Sequence, residues 1–225
     1  IGLNVLHGAM QAGVPKVLNL GSSCMYPRNA INPLTEEMVL AGELEPTNEG
    51  YAIAKVAAAR LCQYISQQTP ELAYKTAIPC NLYGRFDHFE AQRSHMIPAV
   101  IDKLHKATQI QSEQIDIWGD GLSRREFMYA EDLADFVFYA MNNFLAMPTI
   151  LNVGLGKDVM INDYYKVIAK AVGYTGSFKH DLSKPSGMRQ KLVDTRKLQD
   201  FGWYAPTSLK QGIKKTYTYY LELQG

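Results

Sequence analysis

The feature that most constrains this chain is an alternation, through its first third, between helical and strand periodicity. Ile1, Val5, Leu6, Ala9 and Met10 recur at helical spacing, and Gly13 with Pro15 supplies a stop. Lys16–Leu20 follows as a short apolar run that reads as a buried strand. Residues 29–49 are loop-like, with a short apolar piece around 38–41. Residues 51–66 then form a strong helix, rich in alanine, that Thr47 or Asn48 can cap. Residues 74–82 read as the next strand, closed by Tyr83 and Gly84. Strands separated by helices argue for a parallel sheet.

The remainder is shorter in period. Helices are expected over 96–108, 130–142, from an Asn162 cap to Val172, and over 209–223 behind Pro206-Thr207-Ser208. Strands are expected over 114–118, 126–129 and 150–153, with a turn at Gly119-Asp120-Gly121. The inferred architecture is α/β: part of a Rossmann-type, doubly wound parallel sheet with a smaller α/β substrate-binding lobe. The expected division gives 1–84 to a partial dinucleotide-binding domain and 85–121 to the lobe. Residues 122–153 return to the first domain, and 154–225 complete the lobe. The chain begins at Ile1, already inside a helix, and so reads as a fragment of a longer one.

Composition narrows the class. With 47% hydrophobic and 20% charged residues among 225, this is an ordinary globular composition. A formal net charge of +1 gives no electrostatic case for nucleic acid or an anionic membrane, and no membrane-spanning run is present. Cys24, Cys62 and Cys80 share no metal-ligand spacing, so no metal is expected, and an odd number cannot all pair. That pattern suits a reducing compartment, the cytoplasm. Cys62, among Ala and Leu on a helix, and Cys80, inside a strand, read as packing residues.

Two stretches carry chemistry. GSSCMYP, residues 21–27, sets two hydroxyls and a thiol at the end of a strand. Tyr51 and Lys55 stand four apart on the strongest helix, hence on one face, a turn apart. A lysine ammonium beside a phenol favours its ionised form, which suits a tyrosine that gives or takes a proton. In a βα unit the carboxyl end of the strand and the start of the following helix share one crevice.

This arrangement resembles the extended short-chain dehydrogenase/reductase family, in which such a Ser, Tyr and Lys serve hydride transfer to or from nicotinamide. GSSCMYP, LEPTNEGYAIAK (44–55), NLYGRFDHF (81–89), SHMIPA (94–99), WGDGLSRREF (118–127) and KPSGMRQKL (184–192) resemble, in order, the GDP-L-fucose synthase branch. That branch performs 3,5-epimerisation and 4-reduction of GDP-4-keto-6-deoxy-mannose. The resemblance implies that Ser22 orients the C4 carbonyl, Tyr51 gives the proton, and Lys55 tunes Tyr51 and binds ribose. It implies that Cys24 and His95 are the acid–base pair of epimerisation, since inverting a carbon beside a ketone needs a base on one face and an acid on the other. If residues 22–24 are extended, Ser22 and Cys24 point the same way. Pro79, Asn81 and Leu82 match the strand end that faces nicotinamide. Lys103, Trp118, Arg125 and Lys191 fall where the branch contacts the substrate nucleotide; Lys103 stands where Arg is common.

The cofactor implied is NADP(H), the substrate a GDP-sugar and the assembly a homodimer through the first helix and the Tyr51 helix. The sequence contains no GxxGxxG turn, the element that receives a dinucleotide pyrophosphate. A synthase of a 3,6-dideoxy sugar such as GDP-colitose would keep the same five residues. A reductase without epimerisation would be expected to lose Cys24 or His95. A dehydratase would show an acidic pair where Ser23 and Cys24 stand, and a plain 4-epimerase would not call for the thiol. The alternative of another class is a non-catalytic nucleotide-sugar-binding domain.

Overall fold

A computed structural model describes residues 1–90, 94–184 and 188–225. In chain order its elements are α1 (Gly2–Gln11), β1 (Lys16–Leu20), α2 (Glu49–Gln68), β2 (Ala73–Pro79), β3 (Asn81–Tyr83), α3 (Met96–Gln109), β4 (Gln114–Trp118), β5 (Arg124–Arg125), β6 (Phe127–Tyr129) and α4 (Ala130–Asn142). These are followed by β7 (Ile150–Val153), β8 (Val159–Met160), α5 (Ile161–Val172), β9 (Ser177–Asp181), β10 (Gln190–Lys191), α6 (Arg196–Asp200) and α7 (Leu209–Glu222).

The chain divides into two compact units. The first comprises Ile1–Cys80, Leu133–Gly156 and Leu192–Ala205. Its sheet has the order β1-β2-β7, all parallel, with Lys16 opposite Ala73 and Thr76 opposite Ile150. β2 is central, and Thr76, Ala77 and Ile78 are fully buried there. α2 provides the crossover from β1 to β2 that a parallel pair requires. Leu6 of α1 packs with Ala58, Cys62 and Ile65 of α2 and with Leu72 and Tyr74. Among the described residues β1 pairs with β2 alone, and it is half-buried to exposed along its length, unlike the buried strand expected.

The second unit comprises Asn81–Asp132, Lys157–Lys191 and Pro206–Gly225. Ile97, Val100, Ile101 and Leu104 repeat at helical spacing along α3, as Tyr164, Tyr165, Ile168 and Ala169 do along α5. These stripes close on Ile213 and Tyr220 of α7 in one apolar core. Small parallel or mixed sheets surround it, β4-β9, β3-β6 and β10-β5-β8.

The structure revises several expectations. The apolar run 74–82 is two strands: β2 ends at Pro79, which has no N–H to extend the ladder, and β3 pairs with β6 in the second unit. The expected 122–153 and 154–225 segments are each divided, because 122–132 pack in the second unit and 192–205 return to the first. Asn162 does not cap α5. Met160 holds the N-cap position, and the Asn162 amide donates to Asp120 O at 3.2 Å. The Ser208 start of α7 stands as expected, with Ser208 and Gln211 closing a capping box.

Candidate functional site

In the first unit the site residues gather where β1 ends and α2 begins. Gly21 N donates to Ala77 O at 2.7 Å, and a Cβ on Gly21 would lie 2.9 Å from Met25 Sδ, so a glycine is needed where the chain leaves the sheet. Ser22 is extended, at φ −161° and ψ 146°, and caps a single 3-10 turn, Ser23–Met25. Its Oγ accepts from Cys24 N at 3.2 Å. The segment 22–24 is therefore a turn and not a continued strand, which corrects the alternation argument that aligned Ser22 with Cys24. The turn replaces it with a hydrogen bond from the Cys24 backbone N–H to the Ser22 hydroxyl. Cys24 is half-buried, and its Sγ accepts from Asn48 Nδ2 at 3.3 Å.

Tyr51 and Lys55 occupy consecutive turns of α2, as their spacing requires. The Lys55 ammonium lies 5.7 Å from the Tyr51 ring centroid and donates to Leu20 O, the last residue of β1, at 2.7 Å. One bond to Leu20 leaves the ammonium two further N–H donors. Tyr51 is 52% exposed, so its hydroxyl is open to a ligand. Pro79 is buried at the end of β2, in register with Val153. Cys62 and Cys80 are buried, and burial pushes the Cys62 thiol up to about 11, out of the reactive range.

The second unit holds the others. Asn81 donates from Nδ2 to Glu126 O at 3.1 Å, and Leu82 stands beside it on β3, opposite Met128. His95 is exposed at the N-cap of α3, with its carbonyl accepting from Ala99 N and no side-chain cap bond. Lys103, half-buried on α3, donates to Asp116 O of β4, and burial holds its ammonium below the usual lysine range. Trp118 is 64% exposed at the end of β4, with the Lys184 ammonium 5.7 Å from its ring centroid. Arg125 and Lys191 are Cα partners across the parallel β5–β10 ladder, and Arg125 Nη1 donates to Arg124 O at 2.8 Å. Burial lowers Arg125 from its usual range. Residues 185–187 of the KPSGMRQKL motif lie outside the described residues. Among the described residues no group of His, Cys, Asp and Glu could hold a metal ion, and no helix is long and apolar enough to cross a membrane.

Sequence reasoning placed Asn48 only as an alternative helix cap. Its turn towards Cys24 Sγ had no signal in local spacing, because the two residues are joined through the packing of α2 against the 22–25 turn.

Comparison with known proteins follows the same lines. The profile of the NAD dependent epimerase/dehydratase family matches residues 1–154. A GDP-L-colitose synthase of Yersinia pseudotuberculosis is 57% identical over 98% of this chain and 72% of its own length. A GDP-L-fucose synthase of Azorhizobium caulinodans is 46% identical over 98% of the chain and 70% of its own. Among solved structures, a GDP-mannoheptose C4 reductase from Campylobacter jejuni with NADP bound superposes with a TM-score of 0.87 at 31% identity, covering 98% of this chain and 74% of that one.

Proposed function

This chain belongs to the NAD dependent epimerase/dehydratase family, and from that premise we propose that it is the catalytic part of a GDP-deoxysugar epimerase-reductase. The cofactor is NADP(H), as in the solved reductase it resembles. The product we assign is GDP-L-fucose, from GDP-4-keto-6-deoxy-mannose. A second reading, GDP-L-colitose, is favoured by the higher identity to the colitose enzyme, 57% against 46%.

The observation that carries the proposal is the convergence of Ser22, Cys24, Tyr51 and Lys55 within the first unit, tied by the Lys55 bond to Leu20. These residues fit the nicotinamide-ribose end of a dinucleotide: two N–H donors of Lys55 remain for ribose hydroxyls, and the exposed Tyr51 phenol stands one turn away on the same helix face. Bound there, the cofactor supplies the hydride. Ser22 Oγ donates to the C4 carbonyl oxygen and orients it. Tyr51 gives its phenolic proton to that oxygen as the alkoxide forms, and Lys55 keeps the resulting phenolate beside a positive charge. For epimerisation, the family motifs assign the acid and base roles to Cys24 and His95. One removes the acidic proton from the carbon next to the carbonyl, leaving an enolate, and the other returns a proton to the opposite face.

The Arg125–Lys191 pair supports a diphosphate contact. The ladder register places the two residues side by side, and phosphate oxygens accept from both side-chain types. Trp118 offers an exposed ring for the nucleotide base. The homodimer is proposed through α1 and α2, which leave Leu3, Val5, Ile53 and Tyr64 more than half exposed. A cytoplasmic location is proposed on the cysteines, none of which forms a disulfide among the described residues.

The test follows NADPH oxidation and deuterium wash-in from solvent, with GDP-4-keto-6-deoxy-mannose and its 3-deoxy counterpart as substrates. Turnover of the first selects the fucose reading, and turnover of the 3-deoxy sugar alone selects colitose. Tyr51→Phe should slow NADPH oxidation by about 10²–10⁴-fold while sparing exchange, and Cys24→Ser should suppress exchange. Binding of GDP without exchange or oxidation would leave a nucleotide-sugar-binding domain instead.

A further inference from the structure

Asn48 sits at the N-cap of α2, a position where an asparagine side chain ordinarily accepts from the backbone N–H two or three residues on. Here it makes no such bond. Its Nδ2 instead donates to Cys24 Sγ at 3.3 Å, and its buried Oδ1 has no hydrogen-bond partner. A buried carbonyl oxygen left without a donor is unfavourable, and native structures rarely keep one without a reason. The rotamer therefore forgoes the helix cap and leaves an acceptor unsatisfied. What it gains is an N–H aimed at one sulfur.

We propose that Asn48 is the positioning residue of Cys24: it holds the sulfur in place and donates to it when the thiol has lost its proton. The proposal rests on the reading of Cys24 as an epimerisation acid–base. An amide N–H is a poor partner for a neutral thioether or thiol and a good one for a thiolate, whose charge it stabilises. The amide is also two-faced. Turned through half a revolution it presents Oδ1 to an S–H, so one side chain can hold the sulfur before and after proton transfer. A residue that shuttles a proton to and from carbon needs a partner that tolerates both states. Cys62, by contrast, lies in the apolar α1–α2 core, where burial disfavours its thiolate.

The discriminating variant is Asn48→Asp. Aspartate has the same shape and is at least as good a helix N-cap, but it lacks the N–H donor and brings a negative charge to the sulfur. If Asn48 serves only the helix, Asn48→Asp will be neutral or stabilising. If it serves Cys24, two readouts fall together at fixed pH. Iodoacetamide modification of Cys24, located by peptide mass spectrometry, slows by about tenfold, the factor a lost hydrogen bond to a charged group produces. The kcat of substrate deuterium wash-in falls by a similar factor with KM little changed, while thermal unfolding is unchanged or raised. Asn48→Ala should slow both as well, by less, since it adds no charge. Alkylation and wash-in at wild-type rates in Asn48→Asp would overturn the proposal. Should Cys24→Ser leave wash-in intact, the reading beneath it fails. The alkylation rates would still report whether Asn48 governs the sulfur.

Discussion

Two residues beyond Cys24, Tyr26 is buried and its hydroxyl donates to Asn152 Oδ1 at 2.5 Å. Asn152 is fully buried on β7, and each of its other polar hydrogens has a partner in the same unit. Its N–H donates to Glu36 Oε1 at 2.9 Å, and its Nδ2 to Leu34 O at 2.8 Å and Asp194 O at 3.2 Å. Glu36 is balanced in turn by Lys197 at 3.2 Å. The network pins the segment that carries Ser22 and Cys24 to the sheet. Tyr26→Phe keeps the ring but leaves Asn152 Oδ1 unsatisfied. It should lower unfolding free energy by about 1–3 kcal/mol, read as a shift in urea midpoint at constant slope. An unchanged midpoint would mean that water takes the place of the phenol. At this scale some of the site was legible. Tyr51 and Lys55 are one helical turn apart, and helical geometry is local. The partners of Tyr26 and Cys24 were not, since Asn152 and Asn48 reach them only through packing.

Helix and strand identity followed hydrophobic period in most of the longer elements, but β9, SFKHD, carries a single large apolar residue and was not foreseen, nor was the five-residue α6. α3 and α5 each bury a continuous stripe, and their spacing announced it. β5, β8 and β10 are two residues long, too short for any period, and none was foreseen. The turn before β5 depends on one glycine. Gly121 has φ +68°, and a Cβ there would stand 1.9 Å from Asn162 Oδ1. That same Asn162 donates from its backbone to Gly121 O and from Nδ2 to Asp120 O, which explains why it is drawn away from capping α5. Gly121→Ala therefore meets both backbone strain and a clash, and should destabilise by about 1–3 kcal/mol. Thermal unfolding measures it, and a melting temperature equal to wild type would show that Asn162 moves aside freely.

Across the molecule, both cores are rich in tyrosine. Burial raises Tyr26 in the first unit and Tyr83 and Tyr220 in the second above the ordinary phenol range, and brings Tyr129 and Tyr165 up to about 12. Each is an acid whose folded-state value exceeds its unfolded one near 10. The stabilisation is thus complete below about pH 10 and is lost as pH rises from there through 12, because the unfolded chain sheds these protons first. Urea midpoints at pH 8 and pH 11 should fall steeply between the two. Phenolate absorbance should show a group of tyrosines titrating only with unfolding. Uniform titration near pH 10 with an unchanged midpoint would contradict the burial that both cores display. The sequence by itself determined the α/β class, the parallel first sheet and the shared face of Tyr51 and Lys55, since all three depend on short-range periodicity. Only the tertiary structure decided that Arg125 lies abreast of Lys191, that the apolar run divides at Cys80, and that Asn48 turns from its helix to a sulfur. Those outcomes depend on ladder register and on packing between segments distant in the chain, and no local spacing encodes them.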